Sequence, residues 1–273
     1  MKARIKFRKY GSMKFIGHLD VMRYFQKLFR RAEIDNEYSK GFSPHQIMSF
    51  AAPLGVGLTS DGEYLDVSLL SSDSPEMMIK RMNEVITEGF HVIDFQPLLD
   101  REENQRGVTA MSLVSSADYL VSLKDGYSLG EIKSQEDFRH LFDQYMSQTE
   151  IVLDKKTKTS EKAVDIRPMI TLTAYSKEEY LDKLQKTLKP LSKDKKHYNN
   201  FESAVTAYEN GIKVYLQLDT GSAANLKPEL VMDGFYQYLN MTFEKLAWQV
   251  HRLEVYTRDL ESNQLISLDN LER

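Results

Sequence analysis

The chain has 273 residues, 28% of them charged and 41% hydrophobic, with a formal net charge of −4. That composition is ordinary for a globular protein, and no apolar run approaches the roughly 18 residues of a membrane span. The absence of cysteine excludes a structural disulfide, a thiolate zinc site and an iron–sulfur cluster held by the chain's own ligands.

Met1 to Phe7 alternates charge with hydrophobe and lacks the apolar block of a secretory signal, so a cytoplasmic location is expected. The same alternation predicts a half-buried strand over Arg4 to Tyr10 with one cationic face. From His18 onward Leu19, Val21, Met22, Phe25, Leu28 and Phe29 recur at helical spacing. Arg23, Lys27 and Arg30 fall three and four apart on the opposite side, a cationic ridge. The first forty-five residues hold eleven Lys and Arg against Asp20, Glu33, Asp35 and Glu37, an excess of seven positive charges in an acidic chain.

Tyr38 to His45 is a Gly- and Pro-punctuated loop, followed by short strands at Ile47 to Ala52 and Tyr64 to Leu69. Ser74-Pro75 supplies a cap and first-turn proline for a helix burying Met78, Ile79, Met82, Val85 and Ile86. A strand from Phe90 to Phe95 is ended by Pro97. The order strand, helix, strand, strand, helix, strand predicts an α+β fold of ferredoxin-like type over residues 1–99.

Residues 100–117 read as a linker, polar from Asp100 to Gly107. Beyond it, strands are expected at Asp118 to Leu123, Glu150 to Leu153, Val164 to Ala174, Ile212 to Leu218 and Trp248 to Tyr256. Helices are expected at Gln135 to Met146 and Pro228 to Leu239. The βαββαβ order thus occurs twice, giving tandem ferredoxin-like halves, the second spanning 118–273 with a helical, Lys-rich insertion at about 176–210.

Three constellations could carry chemistry. His18, Asp20 and His45 could ligate a metal or provide a general acid and base for RNA cleavage; alternatively His18 and Asp20 cap the helix they begin. Glu63 and Asp66 project to opposite sides of a strand, which argues against a paired-carboxylate site. Gly221, Ser222, Asn225 and Lys227 form a small-residue loop entering a helix at Pro228, where free N–H groups and one lysine suit an anion, or merely connect strand to helix. The spacing is not that of a P-loop, and no dinucleotide fingerprint occurs.

Several segments together resemble the bacterial radical-SAM-associated family of unknown function, over nearly the whole chain. They are Phe15 to Asp20, Tyr38 to His45, Gly62 to Asp66, Val164 to Pro168, Gly221 to Pro228 and His251 to Glu254. The resemblance implies a radical SAM protein as partner, encoded beside or fused to members of the family, often near ribonuclease E/G and ribosomal protein genes. The length of the Lys-rich insertion departs from the common pattern, and Lys227 stands where Arg is more usual.

The expected function is a noncatalytic RNA-binding or substrate-presenting partner of a radical SAM enzyme. Arg23, Lys27, Arg30, Lys40 and His45 would meet phosphate, and Tyr38 and Phe42 would stack on bases. No cofactor of its own and no membrane contact are expected. The alternatives are a metal-independent endoribonuclease using His18 or His45, and a structural interaction module.

Overall fold

The computed structural model describes residues 1–98, 109–156, 161–190, 208–221 and 224–271. Strand β1 (Lys2–Lys9) turns Ala3, Ile5 and Phe7 to one face and Arg4 and Lys6 to the other, as a pleat requires. Helix α1 (His18–Arg31) follows a 3-10 turn and buries Val21, Phe25, Leu28 and Phe29. Strands β2 (Met48–Phe50) and β3 (Thr59–Ser68) come next. Helix α2 (Pro75–Val85) is capped by the Ser74 hydroxyl, which accepts from the amide of Met77, and β4 (Phe90–Leu98) completes this half.

The remainder comprises α3 (Ala110–Leu113), β5 (Ser116–Leu123), α4 (Gln135–Met146), β6 (Val152–Lys156), β7 (Glu161–Asp165), β8 (Ile170–Ala174), α5 (Lys177–Thr187), β9 (Lys213–Asp219), α6 (Pro228–Tyr238), β10 (Trp248–Arg258) and β11 (Leu265–Ser267). Nine strands form one sheet in the order β4-β1-β3-β10-β5-β9-β8, with β2 on β3 and β11 on β10. Among the described residues every strand pairing is antiparallel except that of β10 with β3, which joins His251 to Thr59 and Arg252 to Ser60. Within each half the spatial order is fourth, first, third, second: β4-β1-β3-β2, then β10-β5-β9-β8. The hairpin β6–β7 stands apart as a two-stranded sheet.

One face of the sheet carries α1 and α2 over Ile5, Phe7, Leu65 and Val67. On that face α4 and α6 lie over Val121, Val214, Leu216 and Val250. The opposite face of the second half is covered by α5, whose Tyr180 and Leu184 pack on Leu172, Tyr215, Tyr256 and Leu265.

Several boundaries differ from expectation for identifiable reasons. Strand β3 starts at Thr59 rather than Tyr64, because neighbours on both sides give its polar residues partners. Gly62 lies where β3 and β10 approach: a Cβ there would sit 2.8 Å from the Cα of Glu254. Strand β4 runs through Pro97 instead of ending before it, since β4 is an edge strand and a missing N–H costs little there. The single strand expected over Val164 to Ala174 is two, β7 and β8, split by a 3-10 turn at Arg167–Met169 that contains Pro168. Helix α3 lies within the segment read as linker, whose polar stretch to Gly107 is outside the described residues. Of the expected insertion, α5 and residues 208–210 are described, and 191–207 lie outside.

Candidate nucleic-acid interface

The cationic face expected on β1 is not a surface. The Nζ of Lys6 donates to Glu254 Oε2 at 2.6 Å and Asp269 Oδ2 at 2.8 Å, and Tyr64 donates its hydroxyl proton to Glu254 Oε1 at 2.7 Å. Burial works against the Lys6 charge, but the two carboxylates more than offset it and raise its pKa. Arg4 makes a two-pronged contact with Asp66 at 2.7 and 3.0 Å and donates to the Leu268 carbonyl. Arg8 pairs with Asp61, which also meets His251 at 3.1 Å. Lys9 turns to the helical face, where it is buried and donates to the Ile16 carbonyl. Burial holds its ammonium below the ordinary value, with Glu63 opposing the fall and Arg252 adding to it. Four of the eleven N-terminal cations are therefore internal.

The ridge on α1 has the opposite character. Arg23, Lys27 and Arg30 are all exposed. Arg23 meets Asp20 only at 3.5 Å, a solvated i,i+3 pair, and Arg30 donates to the Gln26 carbonyl of its own helix. Lys27 and Arg30 form no ion pair among the described residues. Exposed aromatics stand at both ends: Phe15, 66% exposed, three residues before the helix, and Tyr38 with the fully exposed Phe42 beyond its end. A helix of 14 residues separates them by about 20 Å.

The loop bearing Phe42 is a built feature. Tyr38 bridges Gln46, the amide of Ser39 donates to the His45 carbonyl at 2.8 Å, and the His45 amide donates back to Ser39 Oγ at 3.1 Å. The His45 ring also meets Ser39 Oγ at 2.9 Å. Gly41 adopts φ +118°, a conformation that side chains resist, and it turns the chain so that Phe42 stands at the apex.

His18 and His45 are not brought together. His18 opens α1 and sets its ring edge-on against Phe50, whereas His45 lies past the far end of that helix. Asp20 faces solvent, and the α1 N-cap is Gly17 with no side-chain bond, so neither His18 nor Asp20 caps the helix. Among the described residues no group of three or more His, Asp or Glu side chains is placed to hold a metal. Glu63 and Asp66 do take opposite faces, Glu63 meeting Arg252 and Asp66 meeting Arg4.

The loop before α6 lies elsewhere, beside a groove between the two halves. Gly221, Asn225 and Lys227 line this groove together with His18, Tyr119, Lys245 and Arg252; Ser222 lies outside the described residues. Helix α6 starts at Pro228 with Lys227 as a cap that makes no side-chain bond. Sequence patterns carried no signal for Tyr119 or Lys245. Arg252 is the kind of residue such patterns can flag: charge within an otherwise apolar strand must be matched inside, and here Glu63 accepts from it at 2.9 Å.

Residues 2–228 match the model of a family described as an uncharacterized protein conserved in bacteria (DUF2344). The chain belongs to that bacterial family. No curated protein matches it. Membership agrees with the resemblance read from the motifs at the level of a bacterial family without an assigned activity. Among the described residues no helix is long and apolar enough to cross a membrane.

Proposed function

We propose that this DUF2344 protein is a noncatalytic RNA-binding protein of the cytoplasm that serves a radical SAM enzyme, holding single-stranded RNA along the outer face of α1. The observation that carries the reading is the exposed row Arg23, Lys27 and Arg30 with exposed aromatics at both ends, Phe15 at one and Tyr38 and Phe42 at the other. Single strands are held by this combination, in which cations track phosphates and rings stack on bases without demanding a sequence. Lys40 and His45 extend the row around the loop, and Gly221, Asn225 and Lys227 offer an anion a further contact. The radical SAM partner rests on the motif resemblance. On the same reading the two halves, each ordered fourth, first, third, second, are ferredoxin-like units in tandem.

An endoribonuclease acting through His18 and His45 is disfavoured, because an acid and a base a helix length apart cannot serve one phosphodiester. Filter binding of a single-stranded RNA at several salt concentrations tests the main reading. Each lost phosphate contact lowers the log–log slope by roughly 0.7, so replacing Arg23, Lys27 and Arg30 with Ala together removes about 2 from it. No RNA retention at low salt overturns the reading.

A further inference from the structure

The groove between the halves has a volume of about 820 Å³ and opens on the helical face of the sheet. It reaches β10 at Arg252. Lys245 precedes the start of that strand, Arg252 lies mid-floor beside Tyr119, and Thr220 with Lys227 stands by its far end, where Asp219 pairs with Ser116 and Ser116 with Tyr256. Leu54, Val56, Leu58, Met111 and Val114 supply apolar walls, and Glu229 is the one acid among the described lining residues besides the covered Glu63 below.

Three features bear on what the groove holds. Its exposed cations stand apart, at Lys245 and Lys227, with apolar wall between them, while the buried Arg252 is already matched by Glu63. A further lysine, Lys124, stands near its Lys245 end, where it donates to the Leu246 carbonyl at 2.7 Å, and burial and Lys14 hold its ammonium below the ordinary value. Helices α1 and α6 both begin at the groove without side-chain caps, whereas Ser74, Ser134 and Ser176 cap α2, α4 and α5. A ligand with charge repeated along an apolar, ring-bearing body meets all three, and a single-stranded nucleotide chain has that chemistry.

The groove also reaches the N-terminal end of the helix that bears the ridge. His18 lines it and is the first residue of α1, and Val56 of its wall lies over Gly17. We infer that the groove takes the end of a nucleotide chain, so that a strand lying along α1 turns inward at His18 and places its terminal dinucleotide over Tyr119 and Arg252. The inference rests on the RNA reading for the body of the strand. The groove itself is assigned by its own lining, and the two are separable by experiment.

The probes are the 5′-phosphorylated dinucleotide pApA, too short to span the ridge, and a single-stranded RNA 12-mer. The variants are the groove double Lys227→Glu with Lys245→Glu, both at exposed positions, and the ridge triple Arg23→Ala, Lys27→Ala and Arg30→Ala. Circular dichroism confirms that each is folded. Calorimetric titration should show pApA bound equally by the wild type and the ridge triple, and at least tenfold more weakly by the groove double. The 12-mer should be weakened by both. Single Lys227→Glu and Lys245→Glu proteins then locate the phosphates, since the lysine whose reversal costs more lies nearer to one. If pApA does not bind, or binds the groove double as tightly as the wild type, the groove assignment falls. Retention of the 12-mer in that case leaves the RNA reading standing. If pApA binds and the 12-mer does not, the ridge reading falls and the groove is a site for short free nucleotides.

Discussion

Strand β1 and helix α1 both carry runs of Lys and Arg, five of eight residues in β1 and four of fourteen in α1, and the fold treats them in opposite ways. Arg4, Lys6 and Lys9 are at most 2% exposed, and Arg4 and Lys6 meet carboxylates; Arg23, Lys27 and Arg30 face water with one long ion pair among them. The difference lies in the partners. The acids that neutralise Lys6 stand 248 and 263 residues away, whereas among the described residues no strand or helix lies over the outer side of α1. A run of cations therefore marks a binding face only where the architecture leaves it unmatched.

The sharpest way to break this comparison is Lys6→Met. It leaves Glu254 and Asp269 buried without their cation, and removal of one partner from such a cluster costs about 3–5 kcal/mol. Urea unfolding should show a loss of that order. A change below about 1 kcal/mol would place β1 with the surface cations after all.

Asp118 extends the comparison to pH on the same face of the sheet as Lys6. Its Oδ2 accepts from Tyr180 at 2.6 Å and Tyr256 at 2.9 Å, while Oδ1 has no hydrogen-bond partner among the described residues. Burial lifts its pKa to about 7, against about 3.9 for an unfolded aspartate. The folded state thus holds the proton more tightly. The stability this contributes is complete below about pH 4 and is lost as pH rises through 7. Asp118→Asn, uncharged throughout, should match the wild type near pH 4 and exceed it at pH 8.5 by up to about 4 kcal/mol, because each tenfold gain in proton affinity on folding is worth about 1.4 kcal/mol. Equal stabilities at both pH values would contradict the assignment of a buried, protonated acid.

On the exposed side the effects move from stability to binding. Phe42→Ala should weaken single-stranded RNA by about 1–3 kcal/mol with the salt slope unchanged, because stacking is not ionic. A changed slope would show that the loop works through charge. The smallest effect expected is that of Lys27→Ala on folding, within about 0.5 kcal/mol by urea titration, since a solvated cation with no partner leaves nothing uncompensated.

Where periodicity was complete within one element, the sequence disclosed the structure: α1 begins at His18, α4 spans Gln135–Met146 and α6 begins at Pro228, all as the spacing predicts. The ridge on α1 was legible for the same reason. What stayed hidden depended on pairing across distance. Thr59 to Glu63 lacks strand composition and becomes strand because His251, Arg8 and Arg252 answer its polar side chains. The alternation of β1 gave its faces correctly and gave no sign of which face would be covered. The groove was the least legible feature, for its lining comes from α1, β2–β3, α3, β5, β9–α6 and β10, and no local pattern joins them.

The position of β10 bears on the order in which the molecule can be made. It lies between β3 and β5, yet it is among the last strands synthesised. The first half can close its apolar core while the chain is still growing, since α1, α2, β1, β3 and β4 are by then complete. Its other face cannot. Until Glu254 and Asp269 emerge, Lys6 has no anion to meet, and the Thr59 end of β3 presents an unpaired edge of the kind that recruits stray strands. Translation of some 150 residues thus separates the assembly of one face from that of the other.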